Sequence, residues 1–223
     1  MSSEGQLGYL GGNAQQRNPF NYAKFEQLTR DNTTAWLTAA ELRAQINLYD
    51  DTSQDTYITS LELATRQAIE DYIGLSIFGV KYRVWYNAAS LMGTPLTLDL
   101  PEVSQNADEL LSGVTVNSVK YWDDNTPPVL HTVDPTTYFY DDSGNKIVLQ
   151  TLPTELNSLM TSPVYAEYTT AANPLADYEV IKLAGKLLFT HFYNNRSDTD
   201  GGNLKTIPFG VQTLLRPYKP LVM

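Results

Sequence analysis

The stretch from Asn173 to Tyr218 constrains this chain more than any other. It opens as NPLADYEVIKLAGKLLFTHFYNNR, passes through SDTDGGNLKT and closes as IPFGVQTLLRPY. Asn173 at an N-cap, Pro174 at the first helical position and Asp177 in the first turn predict a helix start. Tyr178, Ile181, Gly185, Leu188 and Phe192 then recur three and four apart on one face. Val180, Leu183, Ala184, Leu187 and Phe189 carry apolar character around much of the rest. A helix apolar nearly all round is expected to be buried, with other elements wrapped about it. Each large side chain so buried contributes roughly 1.5–3 kcal/mol. Asn194 and Asn195 end the helix, and Arg196 suits its C-terminus.

Beyond the Gly-Gly linker, Ile207, Pro208, Phe209, Val211, Leu214 and Leu215 form a short amphipathic pattern, followed by Arg216, Pro217, Tyr218 and Lys219. Two compatible readings apply. The segment returns to the core on Val211, Leu214 and Leu215, with Pro217 ending it. Alternatively it docks on a partner, with Arg216, Tyr218 and Lys219 at the rim. The last residues, 217–223, hold two prolines and Leu221, and are expected to run extended and bound to something.

Upstream, Thr38-Ala39-Ala40-Glu41 is a capping box that opens a short helix carrying Leu42, Ile46 and Tyr49. The acidic run 50–55 breaks it; a calcium loop would need Gly at its sixth position and a distal Glu, and neither is in register. Tyr57–Ile73 is a second helix, with Ile58, Leu61, Ala64 or Thr65, Ala68, Ile69, Tyr72 and Ile73 as its apolar stripe. Gly74 closes it.

From Phe78 the period changes to two. Lys81–Tyr86, Leu96–Leu100, Val114–Trp122, Thr137–Tyr140, Lys146–Leu149 and Val164–Tyr168 read as strands separated by turn-rich pieces. The expected class is therefore α+β. A small helical bundle (residues 36–78 and 173–216) carries an inserted antiparallel β module (79–172), between an N-terminal arm (1–35) and the tail 217–223. In the arm, Phe20, Tyr22, Phe25 and Leu28 are the apolar residues. They read either as part of a floppy terminus or as a strap across a neighbouring subunit.

Chemistry is sparse. The chain has no cysteine, which removes disulfides, zinc-thiolate sites and Cys nucleophiles. His131 and His191 have no second histidine nearby and no metal-type spacing. No nucleophile-elbow, P-loop, zincin or dinucleotide fingerprint occurs. Asp198-Thr199-Asp200-Gly201-Gly202-Asn203 is the best metal candidate, but it reads better as a polar hinge. We expect no enzyme, no cofactor and no metal. The start lacks a basic region followed by an apolar run, and no apolar run reaches membrane-spanning length, so neither a signal peptide nor membrane insertion is expected. The net charge of −10 argues against a broad phosphate-gripping face, while suiting a conduit that duplex DNA passes through without sticking.

A long helix ending His-Phe-Tyr-x-Asn-Arg, a polar link, then Ile-Pro-x-Gly-Val-x-x-Leu-Leu-x-Pro-Tyr resembles the head–tail connector (adaptor, head-completion) proteins of long-tailed phages and gene transfer agents. The opening Leu-Thr-x-x-Glu-Leu, acidic loop, long helix and Tyr-x-Gly resemble the same family, so the match covers about two-thirds of the chain. The resemblance implies a virion protein of the neck, made in the host cytoplasm. It implies a dodecameric ring on the portal protein that extends the DNA channel and receives a downstream stopper or tail-terminator protein. Double-stranded DNA would pass without sequence-specific binding. The arm and the exposed face of the Tyr57–Ile73 helix are the expected subunit contacts, and the C-terminal segment the expected portal contact. The competing reading is a carbohydrate- or receptor-binding β module of a tail or baseplate protein, suggested by Trp85, Trp122, Tyr82, Tyr121, Tyr138 and Tyr140.

Overall fold

The computed structural model describes residues 21–87, 91, 96–101, 113–151, 153–196 and 208–219. Mixed α+β architecture follows: helices in one unit and two antiparallel sheets in the other. The β unit is drawn from residues 1–29, 81–103 and 114–169, the helical unit from 30–80, 104–113 and 170–223.

In the β unit, five strands lie in the order β1-β2-β8-β4-β5 and three in the order β3-β7-β6. Their spans are β1 Tyr22–Arg30, β2 Val80–Tyr86, β3 Leu96–Asp99, β4 Val114–Trp122, β5 Leu130–Thr132, β6 Tyr138–Asp141, β7 Lys146–Leu149 and β8 Val164–Thr170. The period-two pattern holds on β2, where Val80, Tyr82, Val84 and Tyr86 are buried and the residues between them half-buried. It fails on β8, where Val164, Tyr165, Ala166, Glu167 and Tyr168 are all buried. A central strand covered on both faces shows no alternation in burial.

Cross-strand pairs fix the β2–β8 register. Tyr82 stacks on Tyr168 with ring centroids 5.5 Å apart, and Trp85 meets Tyr165 at 4.7 Å. Glu167 faces Arg83 and is bonded by its guanidinium at 2.6 Å and by the Lys81 ammonium at 2.8 Å. That pairing is what allows a buried carboxylate in the sheet. The Tyr86 hydroxyl donates to the Asp99 carbonyl at 2.9 Å, joining the two sheets.

Two strands escape the sequence pattern. β1 carries Tyr22, Phe25 and Leu28 as an edge strand beside β2, with the Gln27 amide donating to the Tyr82 hydroxyl at 3.0 Å. β5 is only three residues long and pairs Tyr121 with His131. The β4–β5 turn is built on Asp123, whose carboxylate accepts the Val129 N–H at 2.7 Å, the Asn125 N–H at 3.2 Å, and a bond from His131 Nε2 at 2.8 Å. These bonds, the Val129 N–H foremost, hold its pKa down to about 2 from 3.8. A depressed carboxylate stabilises the fold above its unfolded pKa and loses that contribution as pH falls through the folded one. The Val129 amide signal is therefore expected to hold through pH 3.8 and shift near pH 2; a transition at the ordinary carboxylate value contradicts the assignment.

In the helical unit, α1 is Ala39–Gln45, α2 Asp55–Ile73, α3 Glu179–Asn194 and α4 Phe209–Leu215. The capping box is present: Thr38 Oγ1 accepts the Glu41 N–H at 3.3 Å, and the Glu41 carboxylate accepts the Thr38 N–H at 3.0 Å. Gly74 ends α2 at φ 81°, a conformation glycine adopts without a Cβ penalty. Asn173 does cap, but it caps a 3-10 turn, Pro174–Asp177, by accepting the Leu175 N–H at 3.1 Å. Tyr178 then takes an extended conformation, and the α-helix starts at Glu179 rather than Pro174.

The core joins Trp36, Leu37, Leu42, Ile58, Ile69 and Ile73 to Ile181, Ala184, Leu188 and Phe189 of α3 and Val211 and Leu215 of α4. Trp36 and Leu37 pack directly over Gly185. A Cβ there would lie 2.7 Å from Trp36 Cζ3 and 3.1 Å from Leu37 Cδ1. Gly185→Val is expected to cost about 2–3 kcal/mol through overpacking, which outweighs the gain of under about 1 kcal/mol from leaving glycine. Thermal unfolding checks it; an unchanged or raised midpoint contradicts the packing assigned to Trp36.

Candidate interaction surfaces

One row of charge is buried inside the helical unit. Glu62, Arg66 and Glu70 lie four apart on α2, each nearly or fully shielded from solvent. Arg66 donates to the carbonyl of Thr34 at 2.7 Å and to that of Asp31, and its guanidinium lies 4.8 Å from the Phe78 ring centre. Glu62 accepts the N–H groups of Trp36 and Leu37 at 3.0 and 3.2 Å. Burial pushes the Glu62 carboxyl up, and those two bonds oppose the shift. Glu70 accepts the Ile77 N–H at 2.8 Å and meets Arg30 at 3.4 Å. The row fastens the irregular 31–37 stretch, and with it Trp36, whose indole N–H donates to the Ala176 carbonyl at 3.0 Å. This is scaffolding for α3.

What α3 presents outward differs from the expectation of a helix buried all round. Ile181, Ala184, Gly185, Leu188 and Phe189 are buried. Val180, Leu183 and Leu187 are 40%, 48% and 40% exposed, and Tyr178 is 46% exposed. Positions 180, 183 and 187 are successive neighbours along one helical stripe, so the exposed residues form a continuous apolar band. Beside it, Lys186 pairs with Glu41 at 3.2 Å, and Lys182 lies 3.9 Å from both Asp177 and Glu179. The neighbouring cations are thus occupied within the unit, and the band itself offers only hydrocarbon. Such a band on a helix otherwise built into the core is a candidate contact surface.

The predicted docking segment divides. Val211 and Leu215 enter the core, and Leu214 is half-buried. Phe209 is 75% exposed, Pro208 half-buried and Arg216 exposed. Arg216–Tyr218 forms a 3-10 turn after α4. The Tyr218 ring meets Tyr178 edge-on at 5.8 Å, and Lys219 Nζ lies 3.9 Å from the Tyr72 ring centre. Among the arm residues, Tyr22 and Leu28 are half-buried and Phe25 is 50% exposed. Phe20, Ile207, Leu221 and the candidate hinge 198–203 lie outside the described residues.

Among the described residues neither histidine joins a catalytic grouping. His131 is held against Asp123 and stacks on Tyr121 at 5.3 Å; His191 lies 3.3 Å from the Asn195 amide. Among the described residues no group of three His, Asp or Glu could hold a metal ion, and no helix is long and apolar enough to cross a membrane.

Of the aromatics that suggested a glycan surface, Tyr82 is fully buried, and Trp85 is half-buried against Tyr165. The exposed large apolar side chains include the α3 band, Phe209, Tyr49 and Tyr57 of the helical unit, and Phe25, Val129, Leu130, Phe139 and Leu159 of the β unit.

The sequence matches no family model and no curated protein. Solved structures do match in fold. A chain from the neck of an empty gene transfer agent particle, computed with C6 symmetry, aligns with a TM-score of 0.59 at 20% identity. A chain from the virion of a native gene transfer agent particle aligns at 0.58 and 19%, and one from the neck of a native particle computed with C12 symmetry at 0.56 and 17%. Each alignment covers 90% of this chain and 97% of the other. The chain therefore shares, over nearly its whole length, a fold found in the symmetric necks of gene transfer agent particles.

Proposed function

We propose that this chain is a structural protein of the neck of a phage-like particle: a head–tail connector that forms a ring on the portal, extends the DNA channel and receives the next neck or tail protein. The observation that carries this reading is the fold shared with gene transfer agent neck chains over 97% of their length. The exposed band on α3 supports it independently. A closed ring needs a heterologous interface, in which one patch meets a different patch on the neighbour. Val180, Leu183 and Leu187 supply a patch that is 40–48% exposed. The β1 edge, the exposed face of α2 and Phe209 are candidates for the facing patch. The net charge of −10 fits a channel that repels duplex DNA rather than gripping it.

The C-terminal segment is assigned to the portal. Val211 and Leu215 root α4 in the core, and Phe209 and Arg216 face outward. Truncation after Lys219 retains the contacts of Tyr218 and Lys219, and is expected to leave the isolated protein folded while abolishing its attachment to DNA-filled heads. Wild-type attachment of the truncated chain contradicts the portal assignment.

A further inference from the structure

An exposed apolar surface separate from the α3 band and the C-terminal segment lies at the far end of β4. There the strand ends at Trp122, and two loops are fastened to the next residue, Asp123. In the first, the Asp123 N–H donates to the Val129 carbonyl at 3.0 Å, and its carboxylate accepts the Val129 N–H at 2.7 Å. In the second, Asp123 forms a β-bridge with Leu156, and the Asn157 amide donates to the Asp123 carbonyl at 2.8 Å. Asn157 is itself buried, and its side-chain oxygen accepts the N–H groups of Leu159 and Met160, both at 3.0 Å.

This hydrogen bonding ends in apolar side chains that remain partly or almost wholly exposed. Leu159 is 95% exposed, Val129 48% and Leu130 37%. Leaving a leucine almost wholly in water forgoes roughly 1.5–3 kcal/mol of burial. Here the backbone on either side is pinned by two buried polar residues, so the apolar tips are held in place before any partner arrives, which lowers the entropy cost of docking. The charge carried by the two loops themselves has one sign, and the nearest cation in the β4–β5 ladder is Lys120, opposite Thr132. Asp124 and Glu155 are exposed within the same two loops, and no Lys or Arg occurs between Tyr121 and Asn145 or between Ile147 and Ile181.

We infer that the 123–131 and 155–160 loops form a preformed apolar knob with an acidic rim. It inserts into a protein partner whose contact face combines an apolar pocket with surrounding lysine or arginine. Charge decides the occupant. A two-fold contact with a second copy would set Asp124 and Glu155 against the same two carboxylates, and like charges across an interface are unfavourable. The partner is accordingly a different protein. Within the neck reading, on which this inference rests, it is the component docked beside the β unit.

The test uses intact particles carrying the full chain, treated with a zero-length carboxyl-to-amine cross-linker and analysed by peptide mass spectrometry. Expected are links from Asp124 or Glu155 to lysines of a different particle protein. They should disappear in Leu159→Ser, which is also expected to weaken the contact roughly thirtyfold, as loss of a central apolar anchor does. Because Leu159 is 95% exposed, the variant should keep the wild-type unfolding midpoint. Particles that contain the chain but give no such links, give links to another copy, or assemble normally with Leu159→Ser overturn the knob and leave the neck reading standing. Absence of the chain from particles overturns both.

Discussion

Arg66→Leu is expected to lower the stability of the helical unit by about 3–5 kcal/mol, the range found when one member of a buried charge group is removed. The arginine is fully buried and is the donor that satisfies the carbonyls of Asp31 and Thr34. Leucine keeps some of the packing but leaves those carbonyls without that donor. It also leaves Glu62 and Glu70 on the same buried face without their central cation. The 31–37 stretch then loses its anchor, and Trp36 loosens against Gly185 of α3. Arg66→Lys is expected to recover little, because an ammonium lacks the planar fork that reaches two carbonyls together. Denaturant unfolding followed by tryptophan fluorescence measures the loss. A change below about 1 kcal/mol would mean that the carboxylates are satisfied another way.

Leu183→Asp combined with Leu187→Asp is expected to abolish subunit association while leaving the monomer folded. The two leucines are 48% and 40% exposed, so their replacement costs the isolated chain little. In a ring each interface would lose the burial of the still-exposed parts of two leucines, about 1–3 kcal/mol, or roughly one to two orders of magnitude in affinity. Two carboxylates set in an apolar contact weaken it further. Sedimentation velocity at a concentration where the wild-type chain associates, together with incorporation into particles, reports the effect. Normal association of the double variant would move the subunit contact elsewhere, to β1 or the exposed face of α2.

These two predictions mark where sequence reasoning succeeds and where it stops. Local chemistry is legible: the Thr38–Glu41 box caps α1, Gly74 ends α2, and most of the alternating runs become strands. Those signals depend on neighbours in sequence, and the backbone obeys them. The buried row on α2 was illegible, because Glu62, Arg66 and Glu70 at helical spacing look like a solvated face. Only the return of residues 31–37 across them makes them interior. The α3 band was misread in the opposite direction. Periodicity reports that Val180, Leu183 and Leu187 are apolar, and it cannot report that they stay 40–48% exposed. The strand β1 was missed because Tyr22, Phe25 and Leu28 are too widely spaced to give a period-two signal, and its pairing with β2 supplies the order instead.

The Asp123 knob illustrates a third limit. Leu156 and Leu159 read as ordinary loop residues, and nothing in the sequence links them to Val129. Their connection runs through one buried aspartate between two loops distant in sequence, visible only once β4 has been placed. By contrast, the C-terminal resemblance concentrated on a helix and its following segment, and the structure extends the likeness to 90% of the chain, including the β unit.

The central claim is that the chain is a neck ring stacked on the portal. Quantitative mass spectrometry of purified particles from the genome that encodes it tests this most directly, through the molar ratio of this chain to the portal protein. A ratio near one, from matching rings, is the predicted result. Absence from the particles, or a ratio far from one, would contradict the account.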